Sequence, residues 1–276
     1  MRLDRRALLA GASAALAAAP MARASDTLAL TGRFQQGGHV IGRTWPGAHI
    51  FVDNEALTTA SANGLFIVGL DRDAQTSVRI EARDGSRSAK RQVEIMPGTF
   101  PTSRINGLPP STVEPGDPAL LALIQAQVAV KAEAFASRVD ADLFADGFDW
   151  PLETFRISSA WGSQRILNGT AARPHYGIDL AAPQGSPVRA PAGGVVTLAQ
   201  SGMHFEGGLV LIDHGQGLIT AYLHQSEILV STGDRVRLGQ TIGRVGMTGR
   251  ATGPHLCWRM KWRDRNLDPS LMVRTV

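Results

Sequence analysis

The C-terminal half of the chain leaves no room for a helix of ordinary length. From about Phe155 onward, short apolar runs alternate with glycine-containing turns. The runs are Gly194–Gln200, Leu209–Asp213, Ile219–Leu223, Arg235–Leu238, Thr241–Val245 and His255–Trp262. Strands of even spacing between glycine turns are typical of antiparallel, barrel-like sheets whose loops can form the walls of a groove. We therefore expect an antiparallel β domain over residues 150–276.

A second β-rich region precedes it. Residues 25–96 contain short β-prone runs separated by Gly, Asp, Asn and Ser. These runs are Leu28–Phe34, His49–Val52, Leu65–Val68, Val78–Ala82 and Arg91–Ile95. The pattern predicts a small all-β module, a sandwich, so the chain is expected to be mainly β with two folded units.

A proline-rich segment and a helix connect the two β regions. Six prolines lie between residues 97 and 118: Pro97, Pro101, Pro109, Pro110, Pro115 and Pro118. They predict a semi-rigid linker over residues 97–117 that lacks regular structure. Asp117 can cap a following helix, predicted over residues 118–143, in which Pro118 occupies the first position.

This helix has an apolar stripe, formed by Leu121, Ile124, Val128, Phe135 and Val139. The stripe needs a partner surface. About three heptads are too few to favour a coiled coil, so we expect the helix to pack against its own protein.

The first residues have the composition of an export signal. Arg5 and Arg6 precede an apolar run from Ala7 to Pro20, and small residues surround position 24. This predicts a secretory signal peptide over residues 1–24, of the twin-arginine or the general type. The apolar run is shorter than the roughly 20 residues of a membrane-spanning helix. We expect a periplasmic or exported protein with no membrane span after signal removal.

The charge of the mature chain gives no indication of a nucleic-acid partner. The predicted signal holds four of the 28 basic residues and one of the 24 acidic ones. The remainder therefore has 24 basic and 23 acidic residues, a net charge of +1. A balance this close to neutral provides no electrostatic footprint for nucleic acid or an anionic membrane.

Cys257 is the single cysteine of the chain. An exported protein meets an oxidising compartment, where a lone cysteine has no internal disulfide partner. Cys257 is therefore an inert thiol, a reactive thiol or a metal ligand, and the motifs around it bear on this choice.

Metal-ligating residue types recur at three places in the C-terminal region. His175 and Asp179 are four residues apart, with Gly177 between them, which favours a loop entering a strand. His255 and Cys257 alternate with Leu256 in a predicted strand and so share a face. Tyr222 and His224 end another strand, where the same alternation predicts one side for both. An imidazole, a carboxylate and a thiolate can together bind zinc.

These motifs, in this order, resemble those of the lysostaphin-like (LytM-type) zinc metalloendopeptidases. The resemblance covers roughly residues 158–273 and includes His175-Tyr176-Gly177-Ile178-Asp179, Tyr222-x-His224 and Gly253-Pro254-His255-Leu256-Cys257. It implies that His175 and Asp179 bind Zn²⁺, that His224 and His255 are catalytic, and that the protein hydrolyses peptide cross-links between peptidoglycan stem peptides.

Position 257 departs from the family pattern, which has a second histidine there. Zinc accepts thiolate as well as imidazole, so Cys257 is predicted as the third metal ligand. The alternative is a buried, inert thiol in a catalytically silent member of the family that binds the wall or activates other wall hydrolases.

Other polar residues of this region have simpler interpretations. His204 and His214 are expected to be a surface and a turn residue respectively, and neither is predicted as a ligand. Basic residues alternate at Arg259, Lys261, Arg263 and Arg265. A solvated face is the default for them, and a groove rim that meets anionic wall peptides is the alternative.

Overall fold

The computed structural model describes residues 27–274, most of them in β structure. The predicted signal peptide, residues 1–24, lies outside the described residues. The mainly-β fold with one connecting helix is confirmed for the described part of the chain.

Two antiparallel sheets form the N-terminal region. Their strands are β1 (Ala29–Arg33), β2 (His39–Arg43), β3 (His49–Val52), β4 (Glu55–Thr59), β5 (Leu65–Gly69), β6 (Ser77–Asp84) and β7 (Arg87–Glu94). One sheet has the order β1-β2-β5 and the other β4-β3-β6-β7. In β6, Val78, Ile80 and Ala82 are buried and alternate with more exposed residues, as expected for a strand with one face on a core. The predicted small sandwich is confirmed.

The proline-rich segment contains regular structure, so the prediction of a structureless linker is wrong. Strand β8 (Thr102–Ile105) pairs in parallel with β10 (Gln164–Leu167), and a 3₁₀ helix spans Pro110–Thr112. The prolines flank this strand, and its own four residues keep the N–H groups that pairing requires. Short strand β11 (Thr170–Ala171) completes this three-stranded sheet. The segment is therefore attached to the C-terminal domain.

Helix α1 spans Pro118–Phe135 and begins as predicted. The Asp117 side chain accepts a hydrogen bond from the Ala119 N–H at 3.0 Å, and Pro118 occupies the first turn. The helix does not reach residue 143, which corrects the predicted range. Val139 lies beyond its end, because its N–H donates to Asp213 Oδ2 at 3.0 Å instead of to a helical carbonyl.

The helix packs against its own protein, as predicted, but only part of the predicted stripe takes part: Ile124 and Phe135 are half-buried, and Phe135 packs against a buried apolar cluster. Leu121 and Val128 are 39% and 53% exposed, whereas Gln127 and Ala134 are buried. Lys131, on the buried side, forms an ion pair with Glu206. These polar contacts select the docked face and leave part of the apolar stripe in solvent. Within residues 27–274, α1 is also the one helix whose length and composition would permit a membrane span.

A larger sheet dominates the C-terminal region. It contains β9 (Arg156–Ser159), β12 (Ile178–Ala181), β14 (Gly194–Met203), β15 (Gly207–Asp213), β16 (Leu218–Gln225), β18 (Arg235–Val236), β20 (His255–Trp262) and β21 (Arg265–Leu267). The order is β18-β14-β15-β16-β20-β12-β9, with β21 paired to β20. A separate sheet is formed by β13 (Pro187–Arg189), β19 (Thr241–Arg244) and β17 (Glu227–Ile228), and a 3₁₀ helix follows at Pro269–Met272. The predicted antiparallel β domain is confirmed, apart from the parallel β8–β10 pair.

The two faces of the larger sheet have different surroundings. Leu180, Leu256 and Trp258 belong to the main apolar cluster, which also includes buried residues of the N-terminal sheets. Asp179 and Cys257, next to them in the chain, face the other way. The sheet therefore presents one face to the main core. The other, which we call the site face, carries a second apolar cluster that includes Cys257 and Ala134 of α1, and it also lines a groove.

Candidate metal centre

Strand register brings the predicted ligands together. Asp179 of β12 lies directly opposite Cys257 of β20, and Leu223 of β16 lies opposite Cys257 on its other side. His175 is in the loop before β12, as predicted. A Cβ atom at Gly177 would lie 2.7 Å from Cys257 Sγ and 3.2 Å from His175 Nε2. Only glycine therefore allows this loop to bring His175 against the sheet.

The three side chains form a compact buried group. His175 Nε2 lies 3.2 Å from Asp179 Oδ1 and 3.3 Å from Cys257 Sγ. One potential ligand atom from each residue lies within 4.8 Å of the others. Tetrahedral zinc, with bonds of about 2.0–2.3 Å, separates its N, O and S ligands by roughly 3.4–3.6 Å. The spacing of the three atoms suits such an ion.

Asp179 has an atom that the protein itself does not satisfy. Its Oδ2 accepts a hydrogen bond from Arg165 Nη2 at 2.9 Å. Its Oδ1 is buried and has no hydrogen-bond partner among residues 27–274. Although Oδ1 lies near His175 Nε2, that contact lacks hydrogen-bond geometry. A buried carboxylate oxygen without a partner is costly, so its position beside an imidazole and a thiol fits a metal ligand set.

Hydrogen bonds fix the tautomers of His224 and His255. His224 Nδ1 donates to the Thr248 carbonyl at 2.8 Å, and His255 Nδ1 donates to the Gly253 carbonyl at 2.8 Å. Because a carbonyl can only accept, each Nδ1 carries the proton and each Nε2 is left as an acceptor. Both carbonyls belong to the glycine-rich turn before β20. The two rings lie with their centroids 4.7 Å apart.

His224 reaches the site by a break in strand alternation. Its φ is 66°, and β15 shifts register between Gly208 and Val210 beside it. Leu223 and His224 consequently line the same cavity, although they are consecutive. The prediction that Tyr222 and His224 share a side is wrong. Tyr222 lies on the opposite face, fully buried in the main core.

His255 and Cys257 share a face, as predicted, and Leu256 points into the core. His255 Nε2 lies 3.8 Å from Asp179 Oδ1. The structure thus brings all five predicted site residues to one place: His175, Asp179, His224, His255 and Cys257. Their roles stay predictions.

Burial and charge set the protonation of the site. Burial lowers the pKa of His224 to about 4 and also lowers the pKa of His255. Burial alone would raise the pKa of Asp179, but His175 and the Arg165 guanidinium hold it well below its usual range. At neutral pH the two histidines are therefore uncharged and the aspartate is ionised.

The contacts of two arginines with the proposed ligands were not predicted. Arg165 pairs with Asp179, and Arg259 Nε lies 3.4 Å from Cys257 Sγ as a donor. Arg165 precedes the first motif by ten residues, and nothing in its sequence context indicates the contact. Arg259 could have been found, because a residue two positions from Cys257 on a strand shares its face. Its guanidinium interacts favourably with a thiolate.

The site lies at the bottom of a cavity of about 170 Å³. The segment that precedes α1 forms part of its wall, through Ile105 and Leu108. Arg250, on the facing wall, donates to the Thr112 carbonyl at 3.0 Å and so connects the two sides.

His204 and His214 are not part of the ligand group. His204 Nε2 lies 3.2 Å from the Ser111 carbonyl, at a half-buried position. His214 is buried behind the sheet, with Nδ1 2.6 Å from the Gly193 carbonyl and Nε2 2.7 Å from Thr220 Oγ1. Both ring nitrogens of His214 therefore have partners, as expected for a structural histidine.

The C-terminal region is similar to known wall peptidases. Residues 173–269 match the model of peptidase family M23. A peptidoglycan DD-endopeptidase, ShyC of Vibrio cholerae, is 46% identical over 107 residues, 38% of this chain and 24% of that protein. The DD-carboxypeptidase/endopeptidase Mpg of Neisseria meningitidis is 43% identical over 120 residues, 43% of this chain and 27% of its own. The chain thus spans about a quarter of the length of these curated relatives.

The whole described fold also has a structural relative. The crystal structure of a candidate M23 peptidase from Pseudomonas aeruginosa has a TM-score of 0.65 and 26% identity. The similarity covers 87% of this chain and 95% of that one, so it includes the N-terminal sheets as well as the site. Together with the match over residues 173–269, this similarity supports a lysostaphin-like peptidase domain of the M23 type in the C-terminal region.

Proposed function

We propose that the protein is an exported, zinc-dependent endopeptidase that hydrolyses peptide cross-links of bacterial peptidoglycan. The observation that carries the proposal is the unpaired Asp179 Oδ1, buried beside His175 Nε2 and Cys257 Sγ. The name of ShyC, a peptidoglycan DD-endopeptidase, supports peptidoglycan as the substrate class, and with it a location outside the cytoplasm.

His175, Asp179 and Cys257 would hold the metal. Bound zinc supplies a Lewis acid and a water molecule of lowered pKa, which is the chemistry that peptide hydrolysis needs. Ser159 Oγ lies 3.3 Å from His175 Nδ1, so it can orient the ring of this ligand through its second nitrogen.

His224 and His255 would handle protons and stabilise the oxyanion. The pKa of His224, about 4, keeps its ring neutral at the pH of the cell envelope. With Nδ1 bonded to a backbone carbonyl, Nε2 can accept a proton and return it to the departing amine. His255, held by the same turn, can donate from Nε2 to the developing negative charge at the carbonyl oxygen after that nitrogen has taken up a proton released by the attacking water.

The second candidate function is a catalytically silent protein that binds the wall or regulates other wall hydrolases. Arg165 and Arg259 favour this alternative, because each already neutralises one of the proposed anionic ligands. A site that is compensated in this way could be stable without metal.

Metal content and cleavage distinguish the two functions. We expect protein purified without chelator to contain about one zinc per chain and to release cross-link fragments from isolated sacculi, with the activity lost on chelation and restored by zinc. Mass spectrometry of the released muropeptides identifies the bond that is cut. Protein that binds no stoichiometric zinc and leaves sacculi uncut would exclude the enzyme.

A matched pair of variants ties the result to this site. Asp179→Asn keeps the size of the side chain and removes its charge, so we expect zinc and cleavage to be lost together. His49→Ala removes an exposed histidine from the N-terminal sheets and should change neither.

A further inference from the structure

A cavity of about 430 Å³ adjoins the metal site on the His175 side, and its charge is strongly one-sided. Five basic side chains line it: Arg165, Arg173, Arg250, Arg259 and Lys261. No aspartate or glutamate is among the residues that line it. We call it the basic cavity. Arg165, His175, Arg250 and Arg259 also line the cavity that contains the metal site, so the two are continuous.

Three of the arginines are held in place by the protein. Arg165 is anchored on Asp179, yet its Nε is buried and has no hydrogen-bond partner. Arg250 donates to the Thr112 carbonyl and lies over the Phe205 ring at 4.9 Å. Arg259 is anchored on Cys257. Guanidinium groups fixed in this way lose little conformational entropy when an anion binds.

Among the described residues, four of the five basic side chains of the cavity lack a carboxylate partner, and Arg165 is the exception through its ion pair with Asp179. Within residues 27–274, neither Arg173, Arg250, Arg259 nor Lys261 forms an ion pair with a carboxylate. Burial lowers the pKa of Arg250, and the charges of Arg165 and Arg259 lower it further. The arginines therefore repel one another, and an anion between them would relieve that repulsion.

The other end of the groove is chemically different. A cavity that shares Asp179 and His255 with the metal site is lined by four hydroxyl-bearing residues and by Arg156; the hydroxyl-bearing residues are Ser103, Ser158, Ser159 and Thr252. A peptide lying across the metal site would thus meet five basic side chains on one side, and hydroxyl groups with one arginine and the Asp179 carboxylate on the other.

We propose that the basic cavity is a carboxylate subsite, which binds an acidic group of the peptide substrate next to the bond that is cut. Arginine binds carboxylate through paired N–H donors, and several arginines in one partly desolvated cavity give both affinity and direction. The contrast between the two ends of the groove then sets the orientation of the peptide. The proposal deepens the proposed function and rests on it.

The carboxylate has two possible sources, an acidic side chain or the free C terminus of the peptide. Three synthetic wall-type tetrapeptides distinguish them: one with all carboxylates free, one amidated at its side-chain carboxyl groups and one amidated at its C terminus. Their dissociation constants are measured by calorimetry on the full chain at fixed salt, with zinc and after chelation. We expect the amidation that removes the bound carboxylate to weaken binding about 10-fold or more.

The variant Arg173→Gln/Lys261→Gln tests the cavity directly. Neither side chain contacts a proposed metal ligand through any hydrogen bond or ion pair among the described residues. We expect the variant to bind the free-acid peptide about 10-fold more weakly than the original chain does. It should bind the peptide whose amidation removes the bound carboxylate as tightly as the original chain does. The control Arg235→Gln/Arg237→Gln removes two exposed charges elsewhere and should bind all peptides as the original chain does.

Each outcome decides one of the two proposals. Equal binding of all three peptides, or equal weakening in both double variants, would overturn the subsite. Cleavage of sacculi without discrimination among the peptides would leave the enzyme and exclude the subsite. The opposite outcome is also possible: the protein binds no zinc and cleaves nothing, yet it prefers the free carboxylate and loses that preference in Arg173→Gln/Lys261→Gln. This would support the subsite and exclude the enzyme.

Discussion

Two polar clusters lie on opposite faces of the same sheet, and they differ in how completely they are paired. Behind the sheet, His214 has partners at both nitrogens, and Thr220 Oγ1 also lies 2.7 Å from the Tyr222 hydroxyl. On the site face, Asp179 Oδ1 is buried without a hydrogen bond. Both clusters are buried to a similar degree. The two clusters are therefore distinguished by their hydrogen bonds and not by their burial: His214 is fully paired, whereas Asp179 keeps an unpaired oxygen beside two other potential metal ligands.

The largest expected effect comes from removing one member of the unpaired cluster. Cys257→Ala should weaken zinc binding by more than about 100-fold and abolish cleavage, because even the outer partners of metal ligands typically contribute about 10–100-fold. Zinc content by mass spectrometry and digestion of sacculi measure this. Thr220→Val, in the paired cluster, is the control and should keep full zinc. Undiminished zinc in Cys257→Ala would contradict the assignment of the thiol as a ligand.

The next effect separates metal binding from catalysis within the site face. His224→Ala should keep about one zinc per chain and lose about 10²–10⁴ in kcat, since a proton-transfer group contributes that much. His224 bonds to the Thr248 carbonyl and contacts none of the proposed ligands through a hydrogen bond. Zinc titration and kcat on a soluble peptide test this. Loss of zinc in this variant would place His224 among the ligands.

The paired cluster around His214 should make the free energy of unfolding depend on pH in the acid range. Full burial lowers the pKa of His214 from 6.5 to about 4. Between these values the unfolded chain binds a proton that the folded chain does not, so stability decreases as the pH falls from about 6.5 to 4. The loss from this residue reaches roughly 3 kcal/mol at the acid end.

Urea unfolding at pH 7 and pH 5, with chelator at both, measures this dependence. His39 and His224 also have pKa values of about 4, so they contribute to the slope in the same direction. His214→Gln should flatten the slope, by about the share of one histidine, in a protein that is less stable at pH 7. An unchanged slope would show that His214 does not cause it.

The sequence predicted most of the β structure, and the five residues predicted for the site lie together in the fold while their roles stay predictions. The strand His255–Trp262 has the predicted bounds, because its alternation is regular and a glycine-rich turn precedes it. The predictions failed where a tertiary contact overrides a local pattern. Helix α1 ends early since the Val139 N–H bonds to Asp213, and His224 breaks alternation at a bulge that no local pattern reveals.

The arginines mark a second limit of sequence reasoning. Ion pairs between segments far apart in the chain, such as Arg165 with Asp179, depend on the folded geometry. Arg259 is different, since its shared face with Cys257 follows from strand periodicity alone. Because the Arg259 guanidinium contacts the thiol, the site is less negative than a thiolate at position 257 alone would make it.

The smallest effect concerns this charge. Relative to histidine, a thiolate at position 257 adds a negative charge, but Arg259 at 3.4 Å offsets it. Cys257→His alone therefore leaves the site more positive by one charge. A positive charge lowers the pKa of the neighbouring groups that must lose a proton for catalysis. The acid limb of the kcat profile should thus shift to lower pH, by less than about one unit.

Cys257→His/Arg259→Gln restores the original balance, so the acid limb of its profile should return to that of the unaltered chain. The comparison uses kcat measured at saturating peptide, because Arg259 also lines the basic cavity and its loss can raise KM. Equal shifts in the single and the double variant would mean that Arg259 does not offset the thiolate. No shift in either would mean that the acid limb reports a group outside the electrostatic reach of position 257.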